Sequence, residues 1–311
     1  MDPLQFLTTA TVTIVAGKGG VGKTTVTAVL ARAAIRQGLR ALVVELDGKP
    51  AIERLLPGIE VLQLSATAAL AEYLDTHGFS RVAKRLARTG VIDVVAAAAP
   101  GIDDIVVLGK IKQLELTGEY DLVVVDGPAA GHAISFLQSA RSLMDTIRGG
   151  PVHTQAGEVA EMMTDPTRCQ VVLVTLPETT PVNEAVETAY ALEDRVGVHL
   201  GPLVVNGVDQ GGVLPAASAE PGSALRLAAD FRNARRSMHA AECARMADEL
   251  ALPQVHLPLI AGSQLSADDI EKLADALGRG GAPWALSGSA LARSTSALAS
   301  PSRAAAAPPA A

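Results

Sequence analysis

The side chains best suited to chemistry are charged or polar and lie in the first half of the chain. They are Lys18, Lys23, Thr24, Asp47 and Asp126. Lys23 and Thr24 close a G-x-x-x-x-G-K-[ST] sequence, in which glycines leave backbone N–H groups free to surround an anion. In such a loop the lysine contacts the β- and γ-phosphates of a nucleotide, and the hydroxyl is a ligand of Mg²⁺. The pattern therefore predicts a site for a nucleoside triphosphate with Mg²⁺.

The segments on either side of this loop are those that a phosphate-binding loop requires. Residues 11–16 form an apolar, strand-like run before it, and residues 25–34 have the composition of a helix after it. In the order strand, loop and helix, the positive end of the helix dipole points at the bound anion. The residues predicted to contact the nucleotide are Gly17, Lys18, Gly19, Gly20, Val21, Gly22, Lys23, Thr24 and Thr25.

Two aspartates come at the ends of predicted strands and are expected at the same sheet edge as the loop. Asp126 ends the apolar run 120–126, and Asp47 follows the run 40–46. Because ligands bind at the carboxyl ends of parallel strands, we predict that Asp126 holds Mg²⁺ through water. Asp47 is predicted to position the attacking water or to complete the metal shell, with Glu45 as the alternative for that role.

Lys18 is a second cation in the loop, at a position where a general phosphate-binding loop requires none. Its place at the mouth of the loop predicts a side chain that points outward, toward another subunit. A cation supplied across an interface to the transition-state charge can raise a rate by about 10³–10⁵-fold. The alternative is a solvated loop lysine.

A glycine-rich stretch, residues 127–132, follows Asp126 and is predicted to be a turn. Gly131 within it is expected to donate its N–H group to the γ-phosphate. A turn held by that contact orders when ATP binds and relaxes after hydrolysis, as nucleotide switch segments do.

Strand-like and helix-like segments alternate along residues 1–280. Strands are predicted at 11–16, 40–46, 60–64, 120–126, 170–175, 201–206 and 254–259. This alternation predicts an α/β fold with a doubly wound, mostly parallel sheet. The helical segments 66–118 and 137–167 are expected to form a lid over the nucleotide. Residues 281–311 are rich in Ala, Ser and Pro, lack acidic side chains and are predicted to be disordered.

Composition narrows the function classes. The chain of 311 residues has 33 acidic against 26 basic side chains, for a net charge of −7, which argues against constitutive nucleic-acid binding. No apolar run approaches the ~18 residues that a membrane span needs, and no basic segment resembles a signal peptide. We therefore predict a cytoplasmic protein without a transmembrane segment, and peripheral membrane contact stays open. The two cysteines, far apart, are expected to be core thiols.

Several motifs in sequence order resemble one family. The loop GKGGVGKTT is similar to the deviant Walker A motif of the signal-recognition and Min-type ATPases, which form ATP-bridged dimers. The stretch DGPAAGHAISFL at residues 126–137 resembles the DTAPTGHTLRFL sequence of arsenical pump-driving ATPases, whose family includes the targeting ATPase for tail-anchored membrane proteins. LPETTPVNE at residues 176–184 resembles actinobacterial anion-transporting-ATPase-like proteins, which often occur as paralogous pairs.

This resemblance implies a P-loop NTPase fold and an ATPase that uses ATP and Mg²⁺. It implies that Lys18 reaches the partner subunit's phosphates and that Asp47 belongs to the first switch. It also implies that Asn206 and Pro258 lie at the adenine. Two features depart from the family: Asp47 is followed by Gly-Lys-Pro rather than Pro-Ala-His, and the CxxC pair of the tail-anchor targeting factor is absent.

The favoured hypothesis is Mg²⁺-dependent ATP hydrolysis by a nucleotide-bridged dimer, homomeric or formed with a paralogue, and coupled to an unidentified client. A second hypothesis is a Min- or partition-type positioning ATPase that binds membrane or DNA through basic helix faces. Those faces contain Arg81, Lys84, Arg85 and Arg88, and Arg232, Arg235 and Arg236. A third is a weakly catalytic subunit of a heterodimer.

Overall fold

The computed structural model describes residues 4–46, 51–76, 101–215, 222–262 and 264–279. The strands are β1 (Val12–Gly17), β2 (Ala41–Glu45), β3 (Glu60–Gln63), β4 (Leu122–Ala129), β5 (Cys169–Thr175), β6 (Leu203–Val208) and β7 (Gln254–Pro258). The helices are α1 (Lys23–Arg36), α2 (Ala51–Leu55), α3 (Ala66–Thr76), α4 (Ile102–Leu116), α5 (Ala130–Thr146), α6 (Pro151–Thr164), α7 (Thr179–Ala191), α8 (Ala224–Glu249) and α9 (Ala267–Gly278). A 3₁₀ turn at Gln5–Thr8 precedes β1, and a π-helical turn at Leu192–Val196 follows α7.

The strands form one parallel sheet in the order β3-β2-β4-β1-β5-β6-β7. Helices cover both faces of the sheet, because the central strands are apolar on both faces and each face must be shielded from water. One core contains buried side chains of α1, α2 and α9, and the other contains those of α3 to α8. This arrangement confirms the predicted doubly wound α/β fold. It also places the loop after β1 at the carboxyl edge of the sheet, where ligands of such folds bind.

The turn predicted at residues 127–132 is wrong, because its first three residues are strand and its last three are helix. β4 continues through residues 127–129, and α5 begins at Ala130. The strand continues because residue 127 is glycine: a Cβ there would lie 2.4 Å from the carbonyl oxygen of Val15. Without a side chain, the two strands approach closely enough for Ala129 to pair with Gly17.

The sequence of residues 225–250 predicts a helix in two pieces, whereas the structure has a single helix, α8, of 26 residues. No glycine or proline interrupts residues 224–249, and Ser223 caps the helix by accepting a hydrogen bond from the N–H of Arg226 at 3.3 Å. The sequence also predicts a short helix over residues 156–163. The observed α6 begins five residues earlier, because Gly150 at φ +94° precedes Pro151 at its first turn.

The described part of the predicted lid consists of α3 to α6. Within the lid the sequence predicts helices at about 66–76 and 79–88. α3 has the bounds of the first, and an ion pair of 2.5 Å between Lys110 and Glu72 joins α4 to it. A second ion pair, between Lys112 and Glu158, joins α4 to α6. The helix predicted at 79–88 and the tail at 281–311 lie outside the described residues.

Two further predictions concern the membrane and the cysteines. Within the described ranges, no helix combines the length and the apolar character that crossing a membrane demands. Cys169 is buried in β5, and burial raises the pKa of its thiol to about 12, as expected for an unreactive core cysteine.

Candidate functional site

The candidate site is the loop between β1 and α1. Gly20 and Gly22 adopt φ of +87° and +93°, which glycine tolerates and other residues rarely adopt. The side chain of Val21 is buried beneath the loop, and its carbonyl oxygen accepts a hydrogen bond of 2.9 Å from Asn206 Nδ2. The buried Val21 side chain and the hydrogen bond from Asn206 thus hold the loop in place. Helix α1 begins directly at Lys23, and the N–H groups of its first turn face the loop.

The first turn of α1 meets the strand β4 through Asp126. Thr24 Oγ1 donates a hydrogen bond of 2.7 Å to Asp126 Oδ2, and Thr27 Oγ1 lies 3.3 Å from Oδ1. These contacts bring together the two residues predicted to hold Mg²⁺, Thr24 and Asp126, which are 102 positions apart in the sequence. The oxygens are hard ligands of the type that Mg²⁺ prefers, so the residues fit this ion. The sequence analysis did not predict Thr27 as a site residue. Its position one helical turn after Thr24, on the same face of α1, could have indicated it.

Both loop lysines contact other parts of the site. Lys23 Nζ lies 3.3 Å from the carbonyl oxygen of Lys18 and so turns back over the loop. Lys18 Nζ forms an ion pair with Glu184 Oε1 on α7, with side-chain exposures of 41% and 34%. The predicted outward direction of Lys18 is therefore only half right: the side chain is partly exposed but bound within its own subunit.

Glu184 is a residue of the site that the sequence did not reveal. It lies 166 residues from Lys18. It ends the family-like stretch at residues 176–184, but nothing in that stretch signalled a contact with the loop. Its second oxygen, Oε2, is buried without a hydrogen-bond partner among the described residues. Glu184 therefore depends on the cation of Lys18, because a partly buried carboxylate needs a compensating charge.

The other predicted residues are distributed as follows. Asn206 lies in β6 and Pro258 ends β7, at the same carboxyl edge as the loop. Gly131 lies in the first turn of α5, directly after β4. Asp47 lies outside the described residues, whereas the alternative Glu45 is buried and accepts a hydrogen bond from Gln63 Nε2, pointing to a structural role. Their roles at a nucleotide stay predictions.

One partly buried titratable group lies near this edge. His256 in β7 is two residues from Pro258, and burial lowers its pKa. Its Nε2 lies 3.0 Å from Gln254 Oε1. Partial burial thus disfavours the charged form of this imidazole.

The basic clusters that motivated the second hypothesis are only partly described. Residues 81–88 lie outside the described ranges. Arg232 forms an ion pair with Asp209 at 2.7 Å, and Arg235 with Glu178 at 3.5 Å. Because carboxylates neutralise these two arginines, the N-terminal half of α8 is a weaker candidate for polyanion binding than its sequence suggested.

Comparisons with known proteins agree with this geometry. The family described as the CobQ/CobB/MinD/ParA nucleotide binding domain matches residues 12–287. A protein named ATPase BagA from Mycobacterium tuberculosis is 29% identical over 295 residues, which cover 79% of this chain and 86% of that protein.

A protein named arsenical pump-driving ATPase from Escherichia coli is 28% identical over 206 residues, which cover 61% of this chain and 33% of that protein. The match therefore spans about a third of that relative. The resemblance predicted from the loop and from residues 126–137 is confirmed by these similarities. With the matched family covering the sheet, the loop and Asp126, the chain belongs to the CobQ/CobB/MinD/ParA nucleotide binding domain family.

Proposed function

We propose that the chain hydrolyses ATP in the presence of Mg²⁺, as a dimer in which two nucleotides lie between the subunits. The observation that carries the proposal is the hydrogen bond of 2.7 Å between Thr24 and Asp126 beside Lys23. It joins two of the three side chains that a phosphate-binding loop uses for Mg²⁺ and the β- and γ-phosphates, and the third, Lys23, directly precedes Thr24. Similarity to proteins named as ATPases supports the same activity.

In this proposal each residue has a distinct role. The glycines from Gly17 to Gly22 and Thr25 present backbone N–H groups to the phosphates, and Lys23 neutralises their charge. Thr24 and Asp126 hold Mg²⁺, which spreads the negative charge of the triphosphate when it is bound. Asp47 orients the attacking water, and Gly131 senses the γ-phosphate. Asn206 and Pro258 border the adenine.

Lys18 makes the site shared between two subunits. Its side chain is 41% exposed at the mouth of the loop and long enough to leave its own subunit. We propose that it reaches the phosphates bound by the partner, which are a stronger anion than Glu184. Dimerisation then depends on nucleotide, because only a bound triphosphate supplies the charge that draws Lys18 across. The client that uses this cycle is unidentified.

Phosphate release from Mg·ATP, measured together with molar mass by light scattering, tests the proposal. We expect turnover that requires Mg²⁺ and a mass that doubles with ADP–fluoroaluminate, a mimic of the transferring phosphate. Absence of turnover, together with a single monomeric mass under every nucleotide condition, would count against it. Turnover stimulated only by an added paralogue would favour the heterodimer.

Glu184 is expected to oppose dimerisation, because it competes with the partner's nucleotide for Lys18. Replacing Glu184 with glutamine removes that competitor in both subunits. The pair is still partly accessible to solvent, and an accessible ion pair contributes ~0.2–1 kcal/mol. Two such pairs predict ATP-dependent dimers at about 2- to 30-fold lower protein concentration. Glu187→Gln, one turn further along α7, is the matched control. Equal dimerisation of wild type and Glu184→Gln would refute the competition.

A further inference from the structure

Asp209 begins the loop after β6, at the edge of the sheet where the base of the nucleotide is proposed to lie. It follows Asn206 by three residues, which span at most about 10 Å of chain. Val208, the last residue of β6, accepts a hydrogen bond of 2.9 Å from the N–H group of Leu259, the residue after Pro258. Asp209 therefore lies next to both residues assigned to the adenine, within reach of the edge of a bound base.

The carboxylate of Asp209 is held by the fork of an arginine. Arg232 of α8 donates a hydrogen bond of 2.7 Å from Nε to Oδ2 and one of 2.9 Å from Nη2 to Oδ1. The N–H group of Gly211 donates a third, of 2.9 Å, to Oδ1. Hydrogen bonding to Arg232, followed by that to Gly211, lowers the pKa of Asp209 to about 2. Both oxygens of this carboxylate are thus occupied.

The loop is shaped for this ion pair. Gly211 lacks the Cβ atom that would lie 2.1 Å from Arg232 Nη2. The N–H group of Gly211 also holds Asp209 from two residues away, as in an Asx turn, and this bond does not involve the arginine. We therefore expect the carboxylate to keep its place when Arg232 is replaced.

A carboxylate with two free oxygens distinguishes guanine from adenine. Guanine presents two parallel donors on its Watson–Crick edge, N1–H and N2–H, whereas adenine presents the acceptor N1 beside the donor N6–H. The two guanine donors have the same geometry as the Nε–H and Nη2–H fork of arginine, because both belong to a guanidine group. A charged fork binds a carboxylate more strongly than a neutral one, so the side chain of Arg232 excludes guanine from Asp209.

We propose that Arg232 makes this chain select ATP over GTP, by occupying Asp209 with the donors that guanine would otherwise supply. The inference rests on the proposed nucleotide site and adds the residue that determines which base enters it. Asn206 does not make this choice alone, because an amide has both donors and an acceptor and can pair with either base. One of its donors, on Nδ2, is already used by the carbonyl oxygen of Val21.

Calorimetric binding of the non-hydrolysable analogues AMP-PNP and GMP-PNP to the full chain, with Mg²⁺, tests the proposal. Arg232→Ala is combined with Arg236→Ala, because Arg236 also acts on the charge of Asp209 and must not take the vacated place. Arg235→Ala with Arg236→Ala is the matched control, since it removes the same charge from the same helix but keeps Arg232. A triple variant adds Asp209→Asn to the first pair.

We expect wild type and the control to bind AMP-PNP about 10²-fold or more tightly than GMP-PNP. Without Arg232 this ratio should fall by about 10- to 100-fold, because GMP-PNP gains a bidentate pair with Asp209. The affinity for AMP-PNP should stay at the wild-type value, which also verifies that the variant is folded. Asp209→Asn should restore the ratio, since an amide cannot accept both guanine donors.

An unchanged ratio in the variant without Arg232 would overturn the proposal, as would a fall in the ratio that Asp209→Asn does not reverse. Either result leaves the ATPase proposal intact, because AMP-PNP still binds. If wild type binds neither analogue, the nucleotide site itself is refuted and both proposals fail. The two kinds of failure are therefore distinguishable in one experiment.

Discussion

Replacing Lys23 with alanine is expected to lower ATP turnover by about 10²–10³-fold. Lys23 is the only loop cation that lies over its own loop, because Lys18 pairs with Glu184 on α7. Loss of one group that stabilises transition-state charge costs about this factor. Because the same charge binds the ground-state phosphates, the affinity for ATP should fall as well. Initial rates of phosphate release over a range of ATP concentrations measure both effects.

The matched control for this variant is Lys272→Ala. Lys272 is an exposed lysine of α9 that pairs with Asp269, remote from the loop. We expect it to hydrolyse ATP at the wild-type rate. If Lys23→Ala retains wild-type turnover, the loop is not the catalytic site of this chain.

Replacing Asp126 with asparagine is expected to raise the Mg²⁺ concentration for half-maximal turnover by about 10–100-fold. Asp126 accepts the hydrogen bond of Thr24, and groups that orient a metal ligand contribute factors of this size to metal affinity. Asparagine keeps the size of the side chain but removes its charge, so the loop and β4 should keep their structure. Turnover measured across a Mg²⁺ titration separates this defect from the loss of phosphate binding in Lys23→Ala.

Asp121→Asn provides the control for Asp126. Asp121 lies just before β4, at the opposite end of the same strand, and Arg40 holds the pKa of its carboxyl at about 2. It is remote from the loop, so the Mg²⁺ titration of this variant should match wild type. Identical Mg²⁺ titrations of Asp126→Asn and wild type would contradict the role of Asp126 in binding the ion.

The sequence predicts most of the sheet edge because the motifs there are local. The loop lies between a buried strand and a helix, and Asp126 follows an apolar run that could only be a central strand. The parallel sheet then brings the loop and Asp126 close together, since β1, which leads into the loop, and β4, which contains Asp126, are neighbouring strands. Thr24 and Asp126 could therefore be paired without a structure.

The contacts that the sequence does not predict are those between distant elements. The ion pair between Lys18 and Glu184 joins the loop to α7, and no local pattern signals it. The extension of β4 to Ala129 depends on the close approach of Gly127 to Val15, whereas Gly-Pro in isolation indicates a turn. In both cases tertiary packing overrides the local signal.

Helix α8 shows a third kind of difference. Apolar side chains at helical spacing normally face the core. In α8, however, Leu227, Phe231 and Met238 are exposed, and the buried face of the helix contains Met246.

The central claim is that Lys18 of one subunit completes the site of the other, and mixing two inactive variants tests it most directly. The Lys23→Ala subunit cannot bind phosphates in its own loop, but it still supplies Lys18 to the loop of its partner. The Lys18→Ala subunit has an intact loop, but it cannot supply Lys18 to its partner. In an equimolar mixture, half of the dimers contain one complete site, so we predict turnover of about one quarter of wild type from two preparations that are each nearly inactive. Turnover no greater than the average of the two separate variants would contradict a shared site.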